Sequence, residues 1–215
     1  MTVSMADNEA AILPSLAEGG RKVMEVHFSR YKRLQYDRRG LWGLIDRRRF
    51  RHDLLTARRY DRFVTLTEED RGYWQGVDGA VAIPNAAPFE AEAPADVTAS
   101  RTVLAVGRLT HQKGFERLIR AWAAVAPEHP GWKLEIVGSG PQLDMLLNMA
   151  ADAGVASSVL FSGNCPDMAA KYRTAALLAM TSRYEGLPMA LIEAQTCGLP
   201  AVAMDCKCGP PPLIP

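Results

Sequence analysis

Two glutamates separated by seven residues, Glu185 and Glu193, stand in the run SRYEGLPMALIEAQTCGLP at residues 182–200. Residues Arg183 to Leu187 read as a loop, and Pro188 suits a first helical position, where its missing N–H would have had no partner. Gly198 and Pro200 mark the far end of that helix. At ~1.5 Å per residue Glu193 lies about 7–8 Å along the helix from Pro188, so a loop carboxylate and a helix carboxylate can face one ligand across the helix N-terminus. A second pair, Arg108 and Lys113, occupies the run GRLTHQKGFERL between a strand and a helix. Cations there, beside helix N-terminal amides, suit phosphate charge. Taken singly, each of these residue types is more often a solvated surface charge. Their combination is what points to a site.

Hydrophobic periodicity supplies the elements that must hold them. Strands are predicted at Val103–Val106, Leu134–Val137, Val159–Phe161, Ala176–Thr181 and Ala201–Met204. Helix faces alternate with them: Phe115, Leu118, Ile119 and Trp122; Leu143, Leu146, Leu147 and Ala150, closed by Gly154; Met168 to Ala175; and the helix after Pro188. This βα alternation predicts an α/β fold with a parallel, doubly wound sheet that binds ligands at the C-terminal strand ends. The segment Gly138-Ser139-Gly140 lacks a third glycine at dinucleotide-motif spacing and reads as a tight strand-to-helix turn.

Upstream, Arg21 to Ser29 reads as a strand with His27 at its C-terminal end, followed by strands at Arg62–Leu66 and Val81–Ile83. Thr67 ahead of Glu68, Glu69 and Asp70 has the form of an N-cap with acids in the first turn, and Trp74 closes that helix. Leu41, Leu44, Ile45, Phe50 and Leu54 predict two helical segments interrupted near Gly40. Residues 86–100, rich in Ala and Pro, read as a linker. The predicted organisation is a first domain at 1–85 and a second at 101–215.

Composition excludes several classes. With 215 residues, 48% hydrophobic and 23% charged, the chain is of ordinary globular type, and no apolar run approaches the ~18–20 residues of a membrane span. The N-terminus lacks the basic and apolar regions of a signal peptide, so a cytoplasmic protein is expected. Cys165, Cys197, Cys206 and Cys208 follow no disulfide, zinc or redox spacing and are expected as reduced thiols, without a metal. A formal net charge of +1 argues against nucleic acid as a partner. The charge is uneven, however: Arg30 to Arg59 holds eleven Arg or Lys against Asp37, Asp46 and Asp53, a local +8. That stretch reads either as solvated helix surface or as a patch for anionic lipid head groups or a polyanionic acceptor.

The Glu185…Glu193 pair with Gly-Leu-Pro after the first glutamate resembles the signature of the retaining glycosyltransferases of family 4, also called group 1. The run "VGRL…KGF" at residues 106–115 is similar to that family's diphosphate-binding loop, and the stretch from Tyr60 to Asn85 to the close of its first domain. The resemblance spans Val23 to Pro210 and implies a GT-B fold, with a nearly complete C-terminal Rossmann-like domain for the donor and the end of an N-terminal one for the acceptor. It implies transfer of a hexose from a nucleotide diphosphate sugar, UDP-linked by expectation, to a glycan or lipid-linked acceptor in cell-surface polysaccharide synthesis. No protein nucleophile, cofactor or metal is implied. By the same resemblance Glu185 hydrogen-bonds the donor sugar, and Glu193 the ribose hydroxyls. Gly107, Arg108, Lys113, Gly186 and Leu187 lie at the diphosphate, the Gly138 loop near the base, and His27 beside the donor sugar, where it is implicated in catalysis. Activity would take place on the cytoplasmic side, with peripheral attachment to the membrane through residues 30–59. The glycine-rich opening of an acceptor domain is missing and the chain stops at GPPPLIP, so a fragment, a split gene product or a frame-shifted remnant is expected. The alternatives are a non-catalytic nucleotide-sugar binding module, a half-enzyme needing a separate acceptor domain, and a nucleotide-sugar epimerase of the same fold.

Overall fold

A computed structural model describes residues 1–6, 8–16, 20–33, 39–91 and 93–209. Arg38 of the basic stretch and residues 210–215 lie outside them. The chain divides into two compact units, Met1–Asn85 with Tyr184–Leu187, and Ala86–Arg183 with Pro188–Pro215.

The first unit is built on four parallel strands in sequence order: β1 (Thr2–Ser4), β2 (Lys22–Glu25), β3 (Arg62–Thr65) and β4 (Ala80–Ala82). Sequence periodicity gave no sign of β1, whose three residues include one buried side chain. Helix α1 (Gly40–Ala57) precedes β3, and α2 (Glu68–Tyr73) precedes β4. The α2 cap forms as its residues dictate, with Thr67 Oγ1 accepting from the Asp70 N–H at 3.1 Å. Asp70 in turn accepts from Trp74 Nε1 at 3.0 Å, while the Trp74 ring packs 4.6 Å from Phe63 in a core with Met24 and Val26.

One expectation is corrected in the basic stretch. Its described residues hold a single turn of 3-10 helix at Arg30–Arg33 and one α-helix, which Gly40 opens at φ +65°. Leu41, Trp42 and Leu44 are 70, 61 and 65% exposed. They crowd the first turns without forming a stripe, so their spacing marks no buried face; only Asp46, Thr56 and Ala57 are buried.

The second unit holds five parallel strands, β5 (Thr102–Val106), β6 (Lys133–Val137), β7 (Val159–Gly163), β8 (Leu177–Met180) and β9 (Ala201–Ala203), in the order β7-β6-β5-β8-β9. Their helices are α3 (Phe115–Val125), α4 (Leu143–Asp152), α5 (Met168–Arg173) and α6 (Met189–Thr196). Period-2 alternation divides the core: Val103 and Ala105 of β5 join Phe115, Ile119, Trp122 and Leu146 on one face. Leu104 joins Leu178, Tyr172, Leu191 and Ala194 on the other. Burying both faces is what makes these strands continuous apolar runs. The direction of winding reverses between β5 and β8, which makes their C-terminal ends the topological switch point.

Within residues 86–100, Phe89, Ala91 and Ala95 are half-buried, while Ala86, Pro88, Glu90, Ala93, Pro94 and residues 96–99 are exposed. Phe89, Ala91 and Ala95 lie against the second core, the Ala95 N–H donates to Cys197 O at 2.7 Å, and the Asp96 N–H to Arg173 O at 3.2 Å.

Candidate functional site

Three loops of the second unit meet at the C-terminal strand ends. After β5 the chain turns at Gly107 (φ +152°), whose N–H donates to Val137 O at 3.0 Å, and the Leu109 N–H donates to Ser139 O at 2.9 Å. A Cβ on Gly138 would lie 2.1 Å from Gly107 O, and one on Gly140 2.5 Å from Leu109 O. The two glycines thus do more than turn the chain: they let the loop after β6 lie backbone to backbone against the loop after β5. Beside them lies a cavity of about 300 Å³ whose lining includes Gly107, Arg108, Gly138, Ser139, Asn164 and Cys165.

Lys113 lays its aliphatic stem across Gly107, where an added Cβ would come 2.9 Å from Lys113 Cε. The segment bearing it is held from the β8 side. Thr181 Oγ1 donates to Lys113 O and Gly114 O at 3.2 and 3.1 Å, and the Arg183 N–H donates to Gln112 O at 2.8 Å. The Arg183 guanidinium donates to His111 O at 2.7 Å and pairs with Glu116 in the first turn of α3. Burial pushes the His111 imidazole below its ordinary range, and the Arg183 charge pushes it further. Burial raises Glu116, but hydrogen bonding to Arg183 and the Glu116 backbone N–H, with the charges of Arg183 and Arg117, leaves it below the usual carboxylate range. Arg108 is exposed and Lys113 half-buried.

Of the two motif glutamates, Glu193 sits on α6, half-buried, and accepts from Tyr172 Oη at 2.7 Å through Oε2. Pro188 is the residue before α6, one place earlier than expected, and its carbonyl accepts from the Leu191 N–H at 2.9 Å. Glu185, only 4% exposed, belongs with Tyr184–Leu187 to the first unit. In that unit a Cβ on Gly186 would lie 2.6 Å from His27 O and 3.0 Å from Phe28 Cα. Glycine is therefore required where this loop crosses the end of β2. The exposed His27 side chain reaches Glu25, with Nε2 3.1 Å from Oε1. The first unit also has a cavity of about 320 Å³, whose lining includes Phe28, Lys32, His52, Asp53, Thr56 and Trp74 and none of the predicted site residues.

Sequence reasoning passed over Thr181, Glu116, Tyr172 and Arg183. Arg183 stands two residues before Glu185 and had a positional signal; the other three had none. Among the described residues, no three His, Cys, Asp or Glu side chains group to hold a metal ion, and no helix is long and apolar enough to cross a membrane.

Loops converging at the switch point of a doubly wound sheet define a Rossmann-type ligand-binding unit. The sequence model of the glycosyl transferases group 1 family matches residues 89–214, and the chain belongs to that family. The amylovoran biosynthesis glycosyltransferase AmsD of Erwinia amylovora is 40% identical over 163 residues, 72% of this chain and 46% of that protein. An uncharacterized glycosyltransferase of Haemophilus influenzae is 34% identical over 152 residues, 69% of this chain and 43% of that protein. The aligned part is thus less than half the length of these relatives. A crystal structure of S. aureus TarM with fondaparinux, alpha-GlcNAc-glycerol and UDP superposes with a TM-score of 0.77 at 22% identity, over 91% of this chain and 39% of that one. The fold class is the GT-B type.

Proposed function

We propose that this chain carries the donor-binding part of a retaining glycosyltransferase that moves a hexose from a nucleotide diphosphate sugar to a glycan or lipid-linked acceptor in polysaccharide synthesis. The observation that carries the reading is the tethered Lys113-Gly114 segment at the switch point, with Arg108 and a cavity beside it. A leaving nucleoside diphosphate develops negative charge, and cations held before bond breaking stabilise it without reorganising. Arg108 and Lys113 take that role, aided by the backbone at Gly107, Gly186 and Leu187. Glu185 binds the donor sugar, Glu193 the ribose, and His27 lies beside the donor sugar with a part in catalysis. The sugar C1–O bond to the diphosphate breaks as the acceptor oxygen bonds C1 on the same face, and the acceptor proton passes to the leaving phosphate. UDP is the favoured nucleotide, in keeping with the UDP of the TarM complex.

The polysaccharide setting is supported by the similarity to an amylovoran biosynthesis glycosyltransferase. Attachment to an anionic membrane surface on the cytoplasmic side is supported by α1, where exposed Leu41, Trp42 and Leu44 adjoin exposed Arg47, Arg48 and Arg51.

Thermal unfolding with and without UDP, GDP and ADP tests the donor reading. One nucleotide should raise the midpoint of the wild type and not of Lys113→Ala. Indifference to all three would overturn it. With a nucleotide-sugar donor present, turnover on adding acceptor identifies a transferase, turnover only with a separate acceptor domain a half-enzyme, and donor conversion without acceptor an epimerase.

A further inference from the structure

Glu193 is held by a residue from another helix. Tyr172 of α5 is completely buried, its ring enclosed by Leu104, Leu178, Leu191 and Ala194, with Phe89 stacked at 6.5 Å and 29°. A ring so enclosed cannot swing, and this fixes where its hydroxyl points. The hydroxyl donates to Glu193 Oε2 at 2.7 Å. Burial first, and the Glu193 carboxylate second, push the phenol far above its ordinary range, so it stays a donor at every working pH.

A glutamate on a helix otherwise samples many rotamers, and ordering it on ligand binding has an entropic cost. Here one oxygen is already anchored. A carboxylate has about four acceptor sites, so one bond from Tyr172 leaves Oε1 and a lone pair of Oε2 for hydroxyl donors on a ligand. We infer that Tyr172 is a positioning residue that gives the site its selectivity for ribose: by anchoring Glu193 Oε2 it presents the carboxylate, already ordered, to the vicinal hydroxyls of a ribonucleoside diphosphate. The inference rests on the donor-binding role proposed for Glu193. It assigns Tyr172 no contact with the ligand.

The test is binding of UDP and 2′-deoxy-UDP to the full chain by calorimetry, with the GDP and ADP pairs in parallel, for wild type, Tyr172→Phe, Glu193→Ala and the double variant. Tyr172→Phe removes one hydroxyl and no carbon from the core; unfolding without nucleotide reports any structural loss separately. The wild type should prefer the ribonucleotide about tenfold, the usual value of a hydrogen bond to a charged group. Tyr172→Phe should reduce the preference to about threefold or less, by weakening the ribonucleotide and leaving the deoxynucleotide unchanged. Glu193→Ala should abolish it, and the double variant should match Glu193→Ala. A merely structural tyrosine would weaken both nucleotides alike and keep the ratio, which overturns the inference. Equal wild-type affinity for the two sugars would remove the ribose role of Glu193, and the inference with it, while the donor reading stands. Binding of none of the three ribonucleotides would overturn the donor reading itself.

Discussion

The carbonyl oxygen of Thr181 lies 2.3 Å from where a Cβ on Gly114 would sit, and Gly114 itself holds φ +66°. Two independent requirements, space and backbone conformation, therefore meet at one residue of the proposed phosphate loop. Gly154 holds a similar φ of +72° with nothing within 4 Å of its added Cβ, which makes it the natural control. Gly154→Ala should cost about 1 kcal/mol, the conformational penalty alone. Gly114→Ala should cost about 2–4 kcal/mol, because the β8 end must also retreat. Urea unfolding of both variants measures the difference, and equal losses would mean that the close approach to Thr181 does not exist.

Arg183 ties the same loop to β8 through His111 O and Glu116. Arg183→Met keeps a long stem but removes the charge and its donors, leaving a largely buried carboxylate; a loss of about 1–3 kcal/mol at pH 7 is expected. The pH dependence has a definite sign. Glu116 is depressed in the folded protein, so its stabilisation is complete above the unfolded carboxylate pKa of about 4.3 and is lost as pH falls through the lower folded value. His111 is also depressed, so it acts in the same direction: its contribution is present above about 6.5 and is lost as pH falls through its folded value. Denaturation from pH 8 to 3 should show a shallower acid limb below about pH 4.3 in Arg183→Met than in wild type.

Lys113 lies along Gly107, and its ammonium is proposed to meet phosphate. Lys113→Ala should weaken UDP binding about tenfold or more and leave uridine binding unchanged, because only the diphosphate needs the charge. Arg108→Ala should weaken UDP less, since an exposed guanidinium is better screened by water. Titration of both ligands against both variants decides this, and a parallel loss for uridine would point to a general collapse of the loop.

Helix α1 offers a test of the membrane reading. Co-sedimentation with vesicles containing anionic phosphatidylglycerol should exceed that with phosphatidylcholine alone and should fall with added salt. Trp42→Ala should weaken binding to the anionic vesicles, and reversing Arg47 and Arg48 to glutamate should weaken it further. Equal binding to neutral and anionic vesicles would remove the electrostatic part of the proposal.

Much of the fold was readable because it is written in short-range terms. Thr67 with Asp70 caps α2 within four residues, and the buried sides of β5 and α3 repeat at periods of two and 3.6. Where local signals were weak, the reading faltered. Three-residue β1 is too short for any period, and of the leucines of α1 only Leu54 packs against the core while Leu41, Leu44 and Leu55 face outward. The Ala- and Pro-rich stretch near residue 90 has the composition of a linker, and no local pattern shows that its Phe89 and Ala95 meet Tyr172 and Cys197.

The sequence by itself determined the βα alternation, the parallel sheets it implies and the family, since these depend on periodicity and on motif residues close together in the chain. Only the tertiary structure decided how the candidate site residues are held. Arg183 meets Glu116 across 67 positions, Tyr172 meets Glu193 across 21, and Gly138 is required by the carbonyl of Gly107. Such contacts arise when close-packed layers bring distant segments within van der Waals reach, and no local pattern records which side chain will stand opposite which.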